Sequence, residues 1–279
     1  MSFRTALVKN KNYRKFRQNV WYFINRNVSR EILKKDEEEI KIQKQFPQKV
    51  AVIFQGTENY IKMLPNYYEN LKKFFLPNTK KDFFVMTDQL DFPLLKNEDI
   101  FPIFQEHDKI VMLRAYEHIL KAEEKLKEYS HIIWVDADMF LEQELLEKEF
   151  FCHDNPLFAV RQPNFLVIRG SFERNPESLA CVSSGDDQST YIQACFWGGR
   201  TQEALELVRE LDSRIKKDMH NESMAKLEDE AHLNKYRIEN PDLFYIYPHS
   251  YGYPISRKIP KPFKKKIIHG KDEKIEVPR

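Results

Sequence analysis

Short, unbroken apolar runs alternate with segments of helical period along the first half of the chain. Val50-Ala51-Val52-Ile53-Phe54 runs into the turn residues Gln55-Gly56-Thr57, Phe83-Phe84-Val85-Met86 into Thr87-Asp88, and Ile132-Ile133-Trp134-Val135 into Asp136-Ala137-Asp138. Continuous apolar runs suit strands covered on both faces, as in a parallel sheet. Ile100-Phe101-Pro102-Ile103-Phe104 predicts a weaker strand, placed at an edge by its internal proline. Leu64, Tyr67, Tyr68, Leu71, Phe74 and Phe75 recur at helical spacing and predict a helix from about residue 60 to 75. Leu113, Tyr116, Ile119, Leu120 and Leu126 predict another over residues 109–129. Strands alternating with helices predict an α/β fold built on a single, doubly wound and mostly parallel sheet.

The second half is looser. Phe158-Ala159-Val160 and Ala194-Cys195-Phe196-Trp197 read as short strands, and Gly198-Gly199 as a tight bend. Helices are predicted over 201–219 and 223–238, then the strand Leu243-Phe244-Tyr245-Ile246-Tyr247. Residues 1–47 read as a basic, aromatic-spiked helical arm closed by Pro47. Residues 48–256 read as the α/β domain, and 257–279 as a basic, mobile tail rich in proline and lysine.

Composition narrows the classes. With 42% hydrophobic and 13% aromatic residues among 279, the chain can bury a sizeable core, which excludes wholesale disorder. A formal net charge of +2 gives no reason to expect nucleic-acid binding, and the aromatics fall at core spacing and not interleaved with the basic ends. Cys152, Cys181 and Cys195 have no metal-ligand spacing and read as reduced thiols, so the expected location is cytoplasmic. No apolar stretch approaches the ~18 residues of a membrane span. The basic ends leave peripheral membrane contact open.

Two segments carry candidate chemistry. In parallel sheets ligands bind beyond the carboxyl ends of the strands, where Asp136 and Asp138 emerge. In extended chain residues two apart point the same way, so both carboxylates can face one hard cation such as Mn²⁺ or Mg²⁺ and, through it, a diphosphate. A strand end with solvated acids is the bland alternative. The phosphotransferase and phosphatase pattern Asp-x-Asp-x-Thr/Val fits less well, because the fifth position is Phe140 and the motif lies mid-chain. The second segment runs from Lys226 to Tyr236. On a helix Leu227, Glu230 and Leu233 share a stripe, which places the Glu230 carboxylate on the inner side as a nucleophile or carbocation stabiliser.

Glu228-Asp229-Glu230-Ala231-His232-Leu233-Asn234-Lys235-Tyr236 resembles the His-Asp-Glu-Ser-His-Leu-Asn-Lys-Tyr segment of the retaining α-1,3-galactosyl- and N-acetylgalactosaminyltransferases. This is glycosyltransferase family 6, the family of the blood-group A and B enzymes. Ser171-Phe172-Glu173-Arg174-Asn175-Pro176-Glu177-Ser178 resembles their Thr-Tyr-Glu-Arg-Arg-Pro-Gln-Ser. Cys195-Phe196-Trp197-Gly198-Gly199 resembles their Phe-Phe-Gly-Gly, and Met112-Leu113-Arg114 their Met-Met-Arg. The matches fall in the family's order between residues 49 and 255.

The resemblance implies a GT-A (Rossmann-like) fold and transfer of galactose or N-acetylgalactosamine from UDP to a glycan hydroxyl, a lipid-linked glycan included. It implies Asp136 and Asp138 as holders of a divalent ion, usually Mn²⁺, and Glu230 beneath the anomeric carbon. Asp229 would bind donor-sugar hydroxyls, while Phe54 and Tyr60 would flank uracil with Asp88 and Arg114 nearby. Gln193 and Cys195 would line the pocket around the sugar's C2 substituent. His269, Lys271 and Lys274 are candidates for closing over the diphosphate. Leu227-Glu228 stands where the family has Trp-His, which contacts acceptor, so a different acceptor is expected. Many bacterial relatives carry Asn-x-Asn and work without metal; this chain keeps both aspartates. The rival class is a catalytically silent nucleotide-sugar- or carbohydrate-binding protein on the same fold.

Overall fold

The computed structural model describes residues 46–165, 170–255 and 264–270; most of the N-terminal arm, and Lys271 and Lys274, lie outside the described residues. The described strands are β1 (Lys49–Gln55), β2 (Lys80–Thr87), β3 (Ile100–Phe104), β4 (His131–Val135), β5 (Met139–Phe140), β6 (Leu157–Arg161), β7 (Ile192–Arg200), β8 (Phe244–Tyr247), β9 (Tyr253–Pro254) and β10 (Ile268–His269). A central seven-stranded sheet has the order β3-β2-β1-β4-β7-β6-β8, with a small β5-β10-β9 sheet beside it. In the large sheet β7 alone runs against its neighbours β4 and β6; every other pairing is parallel. The expected α/β fold with a mostly parallel sheet is present, and it is consistent with GT-A. β3 takes the predicted edge position.

Alternate residues of the strands feed two cores. Val50, Val52, Phe54 and Phe83 pack with Tyr67, Leu71 and Phe75 of the helix Leu64–Phe74 and its end. Ala51, Ile53, Ile132 and Trp134 face Tyr116, Ile119 and the helix Thr201–His220, whose Ala204, Leu205, Val208, Leu211 and Ile215 are buried. The apolar runs are therefore buried on both faces, as a parallel sheet requires.

Four elements depart from the sequence pattern. The segment 109–129 is not one helix. Asp108 accepts from Ile110 N (2.9 Å) and from Arg114 Nη1 (2.9 Å), which holds a turn before the helix Ala115–Lys121. A second piece, Glu123–Leu126, follows Ala122, which leaves helical geometry at φ −100° and ψ 10°. Gly198 and Gly199 are not a bend but part of β7. A Cβ on Gly198 would lie 2.2 Å from Ile132 O, and one on Gly199 2.2 Å from Pro156 O, so the glycines permit close strand approach. The last helix starts at Glu228, because Glu173 Oε2 takes the Lys226 N–H (2.7 Å) that an earlier start would need. Leu227 is then a cap residue, 38% exposed, and not part of a buried stripe.

The fourth departure is in the C-terminal tail, where residues 264–270 carry a strand. β10 pairs antiparallel with β5 and parallel with β9. Lys266 pairs with Glu149, Gln143 Nε2 donates to Lys265 O (2.8 Å), and Gly270 N donates to Asp138 O (3.1 Å). No helix among the described residues is long and apolar enough to cross a membrane.

Candidate active site

Asp136 is the first residue beyond β4. Its N–H donates to Cys195 O (2.9 Å), and its Oδ1 accepts from Trp134 Nε1 (2.7 Å), two residues back on the same side of the chain. Asp138 follows through a tight turn closed by Met139 N donating to Asp136 O (3.0 Å). His269, brought back by β10, places Nε2 3.3 Å from Asp138 Oδ1 and 4.0 Å from Asp136 Oδ2. One ligand atom from each of these three residues lies within 4.8 Å of the others. The side chains keep about a quarter of their surface open (27% for Asp136, 26% for Asp138, 23% for His269), so a ligand can reach them. Two carboxylates and an imidazole suit a divalent transition ion such as Mn²⁺, with positions left for phosphate oxygens and water.

The second acidic group belongs to the first turn of the helix Glu228–Glu239. Asn234 pins that turn to β7: its Oδ1 accepts from Ile192 N (2.9 Å), while Nδ2 donates to Ile192 O (2.8 Å) and Glu230 O (2.8 Å). Glu230 Oε2 then accepts from Ala194 N (3.2 Å). β7 is irregular here. Its pairing with β6 jumps from Ala159↔Trp197 to Val160↔Gln193, so Ala194, Cys195 and Phe196 form a bulge. Bulges re-aim side chains and free backbone groups, and this one serves three parts of the site in consecutive residues. The Gln193 side chain meets His269 Nδ1 (2.6 Å), Ala194 N–H meets Glu230, and Cys195 C=O meets Asp136.

An aromatic stack ties the two acidic groups together from below. Trp134 stacks on Trp197 (5.9 Å, 11°) and Trp197 on Tyr116 (5.9 Å, 28°); Tyr116 OH donates to Asp229 Oδ2 (3.4 Å). Burial pushes the Asp136 carboxyl up to about 6, against the pull of His269 and Trp134. Burial, with Asp136 and Glu230 nearby, pushes Asp229 up to about 7. Burial also raises Glu230, while the Ala194 N–H and the Tyr191 hydroxyl favour its charged form. Burial lowers the His269 imidazole, but Asp138 and Asp136 outweigh that and leave its pKa raised. A cation placed among these carboxylates would relieve the crowding of like charge.

The structure brings together Asp136, Asp138, Gln193, Cys195, Asp229, Glu230 and His269. The nucleotide-side candidates are placed differently. Phe54 is fully buried, edge-on to Tyr67 (4.9 Å, 63°), so its ring presents no surface to a base, whereas Tyr60 is 48% exposed. Asp88 Oδ1 accepts from Glu58 N (2.9 Å). Arg114 pairs with Asp108 (2.9 Å), each about one-third exposed; such a pair contributes about 0.2–1 kcal/mol, little enough to be exchanged for a phosphate or ribose contact. Cys195 is 2% exposed, and Gln193 is engaged by His269. Sequence reasoning missed Trp134, Trp197 and Tyr116 as supports for the acids, and Asn234 as the clamp. Asn234 was visible within the matched Asp-Glu-x-His-Leu-Asn-Lys-Tyr run, but the aromatic stack spans three separate elements and left no local signal.

Comparison with known proteins gives the family of the chain. The chain is 26% identical over 147 residues, half of its own length (50%), to the O-antigen biosynthesis glycosyltransferase WbnI of Escherichia coli. The aligned part spans 62% of that protein. The model of glycosyltransferase family 6 matches residues 30–267, which takes in both acidic groups and the β7 bulge and ends just before β10. The chain thus belongs to glycosyltransferase family 6.

Proposed function

We propose that this glycosyltransferase moves galactose, or N-acetylgalactosamine, from UDP to a hydroxyl of a glycan with retention of configuration, forming an α-1,3 bond. The observation that carries the reading is the β7 bulge. It holds Glu230 through Ala194 N–H and Asp136 through Cys195 C=O on adjacent residues, so a carboxylate and a cation-binding pair share one rigid frame. Asp136 and Asp138 would hold Mn²⁺ (or Mg²⁺), which when bound supplies positive charge to the diphosphate of the leaving group. Tyr60, Asp88 and Arg114 remain the candidates for the nucleoside, and Asp229 for the donor-sugar hydroxyls.

Glu230 is oriented before substrate arrives, because Ala194 N–H fixes one of its oxygens and Asn234 fixes its main chain. In a double displacement, Glu230 attacks the anomeric carbon as the bond to the diphosphate oxygen breaks and the electron pair leaves with UDP. The acceptor oxygen then bonds to the same carbon as the Glu230 carboxylate leaves with its electron pair, and the hydroxyl proton passes to a phosphate oxygen of UDP. In a same-face reaction, Glu230 instead stabilises the oxocarbenium-like centre while the hydroxyl attacks as UDP departs and passes its proton to the leaving phosphate oxygen.

Galactose is the favoured donor sugar. Cys195 is buried and Gln193 already spans to His269, which leaves no small residue at either position to make room for an N-acetyl group. The likeness to WbnI, an enzyme named for O-antigen biosynthesis, supports a glycan of that kind as acceptor. The test is a glycan-array transfer assay with UDP-galactose and UDP-N-acetylgalactosamine in Mn²⁺. Transfer to terminal glycan hydroxyls, with kcat/KM higher for UDP-galactose, is expected. UDP binding without transfer or donor hydrolysis would instead point to a silent binding protein.

A further inference from the structure

The β7 residue Gln193 touches the site in a way that a sugar pocket does not explain. Its carboxamide nitrogen lies 2.6 Å from His269 Nδ1, it is 8% exposed, and its buried Oε1 has no hydrogen-bond partner. The other imidazole nitrogen, Nε2, points at the carboxylate pair, 3.3 Å from Asp138 Oδ1 and 4.0 Å from Asp136 Oδ2. The two ring nitrogens are linked: in the neutral ring one carries the proton and the other the lone pair. With the Gln193 nitrogen donating to Nδ1, the proton sits on Nε2, and His269 can only hydrogen-bond to Asp138. With the amide turned about its last bond, Oε1 accepts Nδ1–H and the Nε2 lone pair faces the two carboxylates. The two orientations have the same shape, and the partner alone decides between them. Metal-ligating imidazoles commonly donate their second N–H to an oxygen acceptor that fixes tautomer and ring plane.

We infer that Gln193 is a positioning residue whose Oε1 holds the Nδ1–H of His269, making His269 Nε2 the third protein ligand of the divalent cation beside Asp136 and Asp138. The inference rests on the metal-dependent reading of the site and adds to it a ligand and the residue that orients that ligand. The fold supplies the reach from two directions. The register jump in β7 sets Gln193 opposite Val160, and β10 is held between β5 and β9, with Gly270 N–H on Asp138 O (3.1 Å). His269 is therefore fixed relative to Asp138 by the main chain before any donor binds. An imidazole in the set also shifts preference towards Mn²⁺, Co²⁺ or Zn²⁺ over Mg²⁺, which takes oxygen ligands.

The test uses the full chain, Mn²⁺ alone and no sugar donor. Pulsed EPR reads directly coordinated nitrogen, and calorimetry reads affinity. The wild type is expected to show strong ¹⁴N coupling, lost in His269→Ala with at least about a tenfold fall in Mn²⁺ affinity. Gln193→Leu keeps similar bulk without an acceptor, so it should weaken Mn²⁺ binding about tenfold. Gln193→Glu, which can only accept from Nδ1–H when ionised, should restore it. Rescue by glutamate separates a positioning role from simple packing. Mn²⁺ binding that depends on Asp138 but shows no nitrogen coupling, with His269→Ala unchanged, would overturn this inference and leave the metal-dependent reading standing. A wild type that binds no Mn²⁺ would overturn both. The nitrogen signal of the wild type decides the ligand question even if a Gln193 variant fails to fold.

Discussion

The two acidic groups of the site are held in opposite ways. Asp136 and Asp138 come from a tight turn at the end of one strand, each with about a quarter of its surface open, and their neighbours are an indole N–H and an imidazole. Asp229 and Glu230 come from the start of a helix, held by an asparagine clamp and a backbone N–H. A helix N-terminus favours negative charge by about 0.3–1 kcal/mol, yet burial still raises both carboxyls. The strand-end pair is thus open to a ligand beside an imidazole, whereas the helix pair is fixed in place by main-chain and asparagine contacts. Division of labour follows: the first group should govern metal and diphosphate, the second the anomeric carbon.

Breaking the first group should have the largest effect. Asp138→Ala is expected to lower transfer about a thousandfold, near 4 kcal/mol of barrier, with a parallel loss of UDP affinity in Mn²⁺. A steady-state assay across a Mn²⁺ titration reads this, and full wild-type activity in excess EDTA would remove the metal from the account. Next comes Glu230→Gln, which keeps the shape and removes the charge. Turnover should fall at least about a hundredfold, roughly 3 kcal/mol, with UDP affinity little changed. If both variants lose affinity and turnover together, the two groups do not divide the work.

Asn234→Leu sharpens the comparison from the structural side. It removes two hydrogen bonds that seat the helix on β7 and one within its first turn, and strands the Ile192 main-chain groups, so the domain should lose about 2–3 kcal/mol in urea unfolding. Stability equal to the wild type would mean the helix is seated by packing alone.

The smallest expected effect is a pH slope. Without metal, the folded chain keeps the Asp229 proton up to about pH 7, while an unfolded chain releases it near 3.8. The folded state therefore binds more protons between those values, and this group's contribution to stability falls as pH rises through the window. In EDTA, urea midpoints at pH 5 and 7.5 should differ less in Asp229→Asn than in the wild type. An identical difference in both would show that Asp229 is not the source.

The same contrast explains how much of the molecule was legible in its sequence. The strand ending at Asp136 announced itself, because a strand buried on both faces is apolar at every position and the acids after it stand out. Glu230 was singled out by its stripe and again by its motif, but the stripe fails at its first member, since Leu227 is an exposed cap residue and the helix begins only at Glu228. The β7 bulge left no mark in the sequence, because a register jump is a property of two strands at once: Gln193 faces Val160 only once β6 is beside it. Gly198 and Gly199 carried a real signal with the wrong cause, close approach to Ile132 and Pro156 instead of a bend. The segment around Ile268 was hidden by flanking lysines. Two strand residues between charged neighbours show no periodicity, yet they deliver His269 to the carboxylates.

The most direct test of the central claim is the anomeric configuration of the product. Proton NMR of the full chain turning over UDP-galactose in Mn²⁺, with a glycan acceptor, should show galactose delivered in the α configuration of the donor at first appearance. Glu230→Gln should bind UDP and deliver almost none. A β-configured product would contradict retention and the role given to Glu230, and UDP bound with no bond cleaved, with or without acceptor, would contradict glycosyl transfer itself.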